Sequence, residues 1–207
     1  MKKKDPLQLP ASRPVYLPDP DFFGRPLGEA LLSIGPWFRI HPSTKSAVYF
    51  SRRASGRFTP ENPPFGVLYA AVDIATALFE VFGDEMFEND HRIRAYRWMN
   101  SSVSKLKAPR VKVCNLASRK VRSSFKVDLG TLMGRDFDAT QAWALAIMQH
   151  PSEAQGIIYR SRSTNRNCLA LFDRGKIPSL IKEELIGPLN GLAEANSFLD
   201  RHGCVII

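Results

Sequence analysis

A single mixed α/β domain is the fold this sequence predicts, and three observations predict it. The chain has 207 residues, 44% of them hydrophobic, which is enough for one well-buried core and short for two full domains. From about Gly35 to Phe172, apolar runs of strand length alternate with helical stretches. Turn-forming clusters separate these runs, as Thr59 to Gly66 does before Val67 to Ala71.

Met1 to Pro26 carries six prolines and little periodicity, so residues 1–34 read as a proline-rich arm, extended on the domain or without fixed structure and apart from any chemistry. Trp37 to His41 reads as a strand and Val67 to Ala71 as a buried one. Asp73 is placed to cap a helix through Ile74, Ala77, Leu78 and Val81 that stops at Gly83. Val111 to Leu116 is a further strand, and Asp138 with Gln141 suggests a capping box for a helix from Ala142 to Gln149 ended by Pro151. Gly156 to Ser161 and Cys168 to Phe172 read as a hairpin around the polar loop Arg162 to Asn167. Residues 35–173 thus form the domain proper. Residues 174–207 add a helix from Leu192 to Leu199 and an apolar end, Cys204 to Ile207, suited to an edge strand.

Composition narrows the function classes. The stretches Gly66 to Gly83 and Ala142 to Met148 are interrupted by acids or too short to cross a bilayer. Basic Met1 to Lys4 is followed by Asp5, Pro6 and Gln8 where a signal peptide needs an apolar segment, so a cytoplasmic location is expected. Cys114, Cys168 and Cys204 form no C-x-x-C pair and the four histidines are scattered, which argues against disulfides and a structural zinc. A net charge of +9 suits nucleic acid, an anionic surface, an acidic protein or a phosphate-bearing small molecule. Eight Lys or Arg and no acid lie between Lys105 and Lys126, interleaved with Val111, Val113, Leu116 and Val121 as on a solvated sheet face. No finger, helix-turn-helix or RNA-binding-sheet signature accompanies them.

Five polar residues stand out from this pattern. Glu80 borders the apolar stripe of its helix, Arg39 follows Trp37 and Phe38 inside a strand, and Arg57 sits in a Gly- and Pro-rich loop. Tyr69 interrupts an aliphatic strand and Ser161 ends another. Each also has an ordinary structural reading: an exposed helix glutamate, a salt-bridged or solvated arginine, a packed tyrosine, a turn-starting serine.

Together they form a recognisable series. Trp37-Phe38-Arg39-Ile40, Gly56-Arg57-Phe58, Phe65-Gly66-Val67-Leu68-Tyr69, Ala75-Thr76-Ala77-Leu78-Phe79-Glu80, Ala139-Thr140-Gln141-Ala142-Trp143-Ala144 and Gly156-Ile157-Ile158-Tyr159-Arg160-Ser161-Arg162 closely resemble the RES domain. The resemblance spans Gly35 to Phe172, roughly two-thirds of the chain. It implies an ADP-ribosyltransferase-like fold with a split, mostly antiparallel or mixed sheet and flanking helices. A toxin that degrades NAD or transfers ADP-ribose is implied too, held in check by an Xre-like antitoxin. Carried over residue by residue, it makes Glu80, Arg39 and Ser161 catalytic, and Arg39, Arg57, Tyr69 and Ser161 binding residues. NAD is then the substrate, with no metal and no further cofactor. The arm before Trp37, the insert between Phe87 and Pro109 and the tail after Phe172 are longer than in compact RES toxins and bear on partner binding.

The chemistry is consistent with that implication. Breaking the nicotinamide–ribose bond develops oxocarbenium character, which a carboxylate such as Glu80 stabilises beyond the ground state. Guanidinium groups at Arg39 and Arg57 match a pyrophosphate bidentately, and the Tyr69 ring can face a cationic nicotinamide. Ser161 can orient Glu80 or a ribose hydroxyl. Water, phosphate and protein all remain open as the acceptor, so NAD glycohydrolase, phosphorylase and protein ADP-ribosyltransferase are alternatives within one class. A nucleic-acid-binding or nuclease toxin and a catalytically silent interaction module are the readings from other classes. A homodimer is left open, and contact with nucleic acid is expected only through the antitoxin.

Overall fold

The computed structural model describes residues 17–32, 36–54, 56–107 and 111–207. Residues 1–16 and 33–34 of the arm therefore lie outside the described residues, while its residues Glu29–Leu32 form a strand of the sheet. The strands are β1 (Glu29–Leu32), β2 (Trp37–Pro42), β3 (Val67–Ala71), β4 (Arg92–Ile93), β5 (Ser101–Lys107), β6 (Val111–Asn115), β7 (Gly156–Arg160), β8 (Asn167–Phe172), β9 (Lys182–Pro188) and β10 (Val205–Ile206). The helices are α1 (Ile74–Glu88), α2 (Ala95–Met99), α3 (Arg119–Ser124), α4 (Leu129–Met133), α5 (Asp138–Gln149), α6 (Ile177–Leu180) and α7 (Ala193–His202). Eight strands form one sheet in the order β1-β6-β7-β8-β3-β2-β5-β9. Every neighbouring pair is antiparallel except β6 and β7. The fold is the expected mixed α/β one, with a largely antiparallel sheet and flanking helices.

Strand alternation divides the core between the two faces of the sheet. Val67, Ala71, Ile157 and Tyr159 pack on one face with Ile74, Ala77, Leu78 and Phe82 of α1 and Trp143, Ala144 and Ile147 of α5. Trp37, Leu68, Ala70, Ile158, Leu169 and Leu171 point the other way and are covered by Ala47, Ile177 and Ile181. Between β3 and β2 the ladder has a single pair, Phe38 opposite Ala71. Either neighbour of this seam is fully zipped, β3 to β8 over five pairs and β2 to β5 over six. The sheet, for which a split was expected, is continuous and narrows to one pair at this seam.

Several boundaries differ from the sequence expectation, each for a physical reason. Helix α1 does not stop at Gly83 but runs to Glu88, because buried Met86 continues its apolar stripe and buried Glu85 pairs with Arg94 and Arg97. Helix α5 starts at Asp138 with no side-chain cap, so Asp138 and Gln141 make no capping box; Asp136 Oδ1 accepts from the Asp138 amide instead. The basic run to Lys126 is sheet only through β6, since Val121 and Phe125, four apart, turn one face of α3 inward. Val205 and Ile206 pair in parallel with Arg92 and Ile93 in a separate two-strand ribbon, not on the main sheet. At the described end of the arm, a 3-10 turn at Pro20–Gly24 places fully buried Phe22 edge-on to Phe125 and Trp143. Among the described residues no helix is long and apolar enough to cross a membrane.

Candidate functional site

At the β2–β3 seam lies a cavity of about 310 Å³, bordered by Phe38, Arg39, Gly56, Arg57, Tyr69 and Glu80 together with Asp84, Phe137, Tyr159, Arg162 and Ser163. Four of the five residues singled out in the sequence therefore meet around one opening. Their positions follow from the elements that carry them. Tyr69 is the middle residue of β3 and shares a face with Val67 and Ala71, towards α1. Helix α1 begins where Asp73 Oδ1 accepts from the Thr76 amide at 2.7 Å. Nearly two turns later, that start presents Glu80, exposed, at the cavity.

The loop bearing Arg57 is held from three sides. Tyr69 Oη accepts from the Phe58 amide and bonds Thr59 Oγ1, both at 2.9 Å. Thr140 Oγ1, buried in α5, donates to the Arg57 carbonyl at 2.6 Å, and Gln141 Nε2 donates to the Ala54 and Gly56 carbonyls at 3.0 and 3.2 Å. The Thr-Gln pair of the sequence series is thus a clamp on the Gly56-Arg57-Phe58 loop. Gly56 is required by this close approach: a Cβ there would stand 2.7 Å from both Tyr69 Oη and Thr59 Oγ1. Arg57 itself is buried, with Nη1 donating to the Arg160 carbonyl at 3.2 Å and its Cζ 5.2 Å from the Tyr159 ring centre.

Tyr69 spends its hydroxyl on the loop, so its ring is what it offers to the cavity. Burial pushes its pKa up to about 12, with the Thr59 and Phe58 bonds opposing, so the phenol stays neutral. Arg39 is half-buried and donates from Nη1 to the Ala47 carbonyl at 2.8 Å. Burial lowers its pKa to about 10 and nearby Glu183 raises it in part, leaving a cation at neutral pH. Glu183 also receives Ser46 Oγ at 2.6 Å and the Ala47 amide at 3.0 Å, so β9 fixes the loop on which Arg39 leans.

Ser161, the fifth residue, does not line the cavity. It is fully buried, its Oγ accepts from the Thr164 amide at 3.4 Å and its carbonyl from the Asn165 amide at 3.0 Å, closing the turn from β7 to β8. The residues this turn presents at the wall are Arg162 and Ser163. Thr76 of α1 bonds Thr164 of the turn at 3.2 Å, tying the two walls together. Sequence reasoning missed two side chains here as site residues. Arg162 faces the Phe137 ring, Cζ 5.7 Å from its centre, and reaches Asp84 at 3.3 Å. Tyr159, 4% exposed, donates from Oη to Glu80 Oε2 at 3.1 Å. The signal for Tyr159 was its place two residues before Ser161 on the inward face of β7, where an aliphatic residue would otherwise fill the core. Among the described residues no group of three His, Cys, Asp or Glu side chains gathers as a metal site.

Comparisons with known proteins agree with this architecture. No curated protein matches the chain. Among solved structures, a chain of the M. tuberculosis MbcT–MbcA toxin–antitoxin complex superposes with a TM-score of 0.64 at 15% identity, over 83% of this chain and 92% of that one. The model of the RES domain matches residues 36–187, a span that runs from β2 into β9 and contains every cavity residue named above. The chain belongs to the RES domain family.

Proposed function

We propose that this chain is the toxin of a toxin–antitoxin pair and that it cleaves the nicotinamide–ribose bond of NAD. The observation that carries the reading is the convergence of Arg57, Tyr69 and Glu80, with Arg39 beside them, on one cavity at the β2–β3 seam. At about 310 Å³, that cavity is at the small end of the ligand-pocket range of roughly 300–1,000 Å³. It suits the nicotinamide–ribose end of the dinucleotide, with the adenosine end towards the rim. Arg57, buried and oriented by the Arg160 carbonyl, is assigned the pyrophosphate, with Arg39 supplying further positive potential. The Tyr69 ring faces the nicotinamide, which is cationic until the bond breaks. As the bond breaks, positive charge moves to the ribose, where the Glu80 carboxylate stabilises it. Ser161 is assigned a supporting part, through the turn that presents Arg162 and Ser163.

Cleavage of an essential cofactor calls for control, and we assign that control to an Xre-like antitoxin that blocks the cavity. The acceptor of the ADP-ribosyl group is water, phosphate or a protein, whichever reaches the ribose from the rim. Purified protein incubated with NAD in phosphate buffer, with and without added cell protein, followed by chromatography of the products, tests the assignment. Nicotinamide is expected to appear, together with ADP-ribose, its phosphorylated form or a modified protein. Glu80→Gln, which keeps shape and removes charge, is expected to cut the rate by at least about a hundredfold, the scale of losing an electrostatic stabiliser. Intact NAD with the wild-type protein, or equal rates for the two proteins, would refute it.

A further inference from the structure

We propose that Tyr159 is a positioning residue that selects the productive orientation of the Glu80 carboxylate. The inference rests on the reading of Glu80 as the group facing the ribose. Glu80 is an exposed residue of α1 at the cavity, where an unrestrained glutamate samples several staggered side-chain conformers. Only conformers that turn the carboxylate into the cavity can stabilise charge on a ribose held there. Tyr159 supplies a fixed donor to such a conformer, its Oη standing 3.1 Å from Glu80 Oε2.

The fixity comes from packing. Tyr159 is 4% exposed, in the last turnward half of β7, with Cys168 opposite it on β8. Its ring lies 4.8 Å from the Phe58 ring and beneath the Arg57 guanidinium at 5.2 Å. Burial, with the charge of Glu80 next, holds the phenol well above its ordinary pKa, so the hydroxyl keeps its proton and remains the donor. One ring therefore links the two charged ends of the site, stacking on the arginine and donating to the carboxylate. A donor that holds a carboxylate without touching substrate acts on the transition-state geometry and leaves binding alone, which in kinetic terms lowers kcat and spares KM.

Tyr159→Phe keeps the ring and its stacking and removes only the donor. For this variant kcat with NAD is expected to fall at least about tenfold, the scale of a hydrogen bond to a charged group, with KM within about twofold. In a Glu80→Gln background the same change is expected to have little further effect, because the group being positioned is gone. A rise in KM with kcat unchanged would make Tyr159 a substrate contact, and wild-type kinetics would make it packing alone; either overturns the proposal. If the wild-type protein releases no nicotinamide, the reading of the site fails separately. The pair is then judged by unfolding of Tyr159→Phe, Glu80→Ala and the double variant: non-additive destabilisation upholds the contact and additive values overturn it.

Discussion

Arg57 shows how much a single residue of this site depends on its surroundings. Its guanidinium is buried, donates to the Arg160 carbonyl and stacks over Tyr159, while its own carbonyl takes a bond from Thr140. A lysine can carry the charge but cannot keep a planar fork in that slot. Arg57→Lys is therefore expected to lower kcat/KM for NAD nearly as far as Arg57→Ala, both by about tenfold or more. A lysine variant within twofold of wild type would reduce Arg57 to general attraction. At this scale, the polar residues that break a local pattern were legible: an arginine after Trp37-Phe38, a tyrosine among aliphatics, a glutamate beside an apolar stripe. Tyr159 and Arg162 were not assigned roles, because a tyrosine on an inward strand face reads as packing until the helix opposite it is known. Ser161 was expected as a turn residue and as a site residue; its hydroxyl bonds within the turn and it does not line the cavity.

Among the elements, α5 has the least expected part. Thr140 and Gln141 use their side chains on the 54–58 loop, and Gln141 is thereby taken away from the helix cap that its spacing suggested. Thr140→Val keeps the shape but leaves the Arg57 carbonyl without that donor, at a cost of about 1–3 kcal/mol. Unfolding of the variant by denaturant should show this loss, together with weaker NAD turnover. Unchanged stability and turnover would mean that the loop holds its form without the clamp. On the far side, β9 governs the loop that steadies Arg39. Burial pushes the Glu183 carboxyl up, but bonds from Ser46 and Ala47 and the field of His41 outweigh it, and its pKa ends below the ordinary 4.5. A depressed carboxylate contributes stability that is present above its unfolded pKa and lost as pH falls through the folded one. Below pH 4.5, the wild-type protein should therefore lose stability more steeply than Glu183→Gln, as read from melting temperature against pH. Parallel curves would contradict the coupling. Strand and helix identities came through from hydrophobic period and turn residues. Helix ends at Gly83 and Asp138 did not, because tertiary partners decide them, Arg94 and Arg97 just past the helix in one case and Ala54, Gly56 and Arg57 in the other.

For the whole molecule, the decisive feature is where the sheet narrows to a single pair. Alternation in each strand assigns its faces, but nothing local in the sequence says that β3 lies between β8 and β2, or that β2 and β3 share one pair. A split sheet was implied by the family resemblance, whereas the one-pair seam and the cavity beside it needed the long-range pairing. A cavity walled by arginines also constrains how an antitoxin blocks it. An inhibitor entering here is expected to present a carboxylate to Arg39 or Arg57. Its affinity should then fall with salt, and fall for Arg57→Ala; equal affinity for both proteins at every salt concentration would move the contact elsewhere. A structure of Glu80→Gln soaked with NAD tests the NAD site most directly, since the variant should bind substrate and leave it intact. The nicotinamide ribose is expected at the β2–β3 seam, with the nicotinamide ring against Tyr69, the pyrophosphate within hydrogen-bond distance of Arg57 and the anomeric carbon facing the side chain at position 80. Dinucleotide bound anywhere else on the protein, or a seam left empty at saturating NAD, would contradict it.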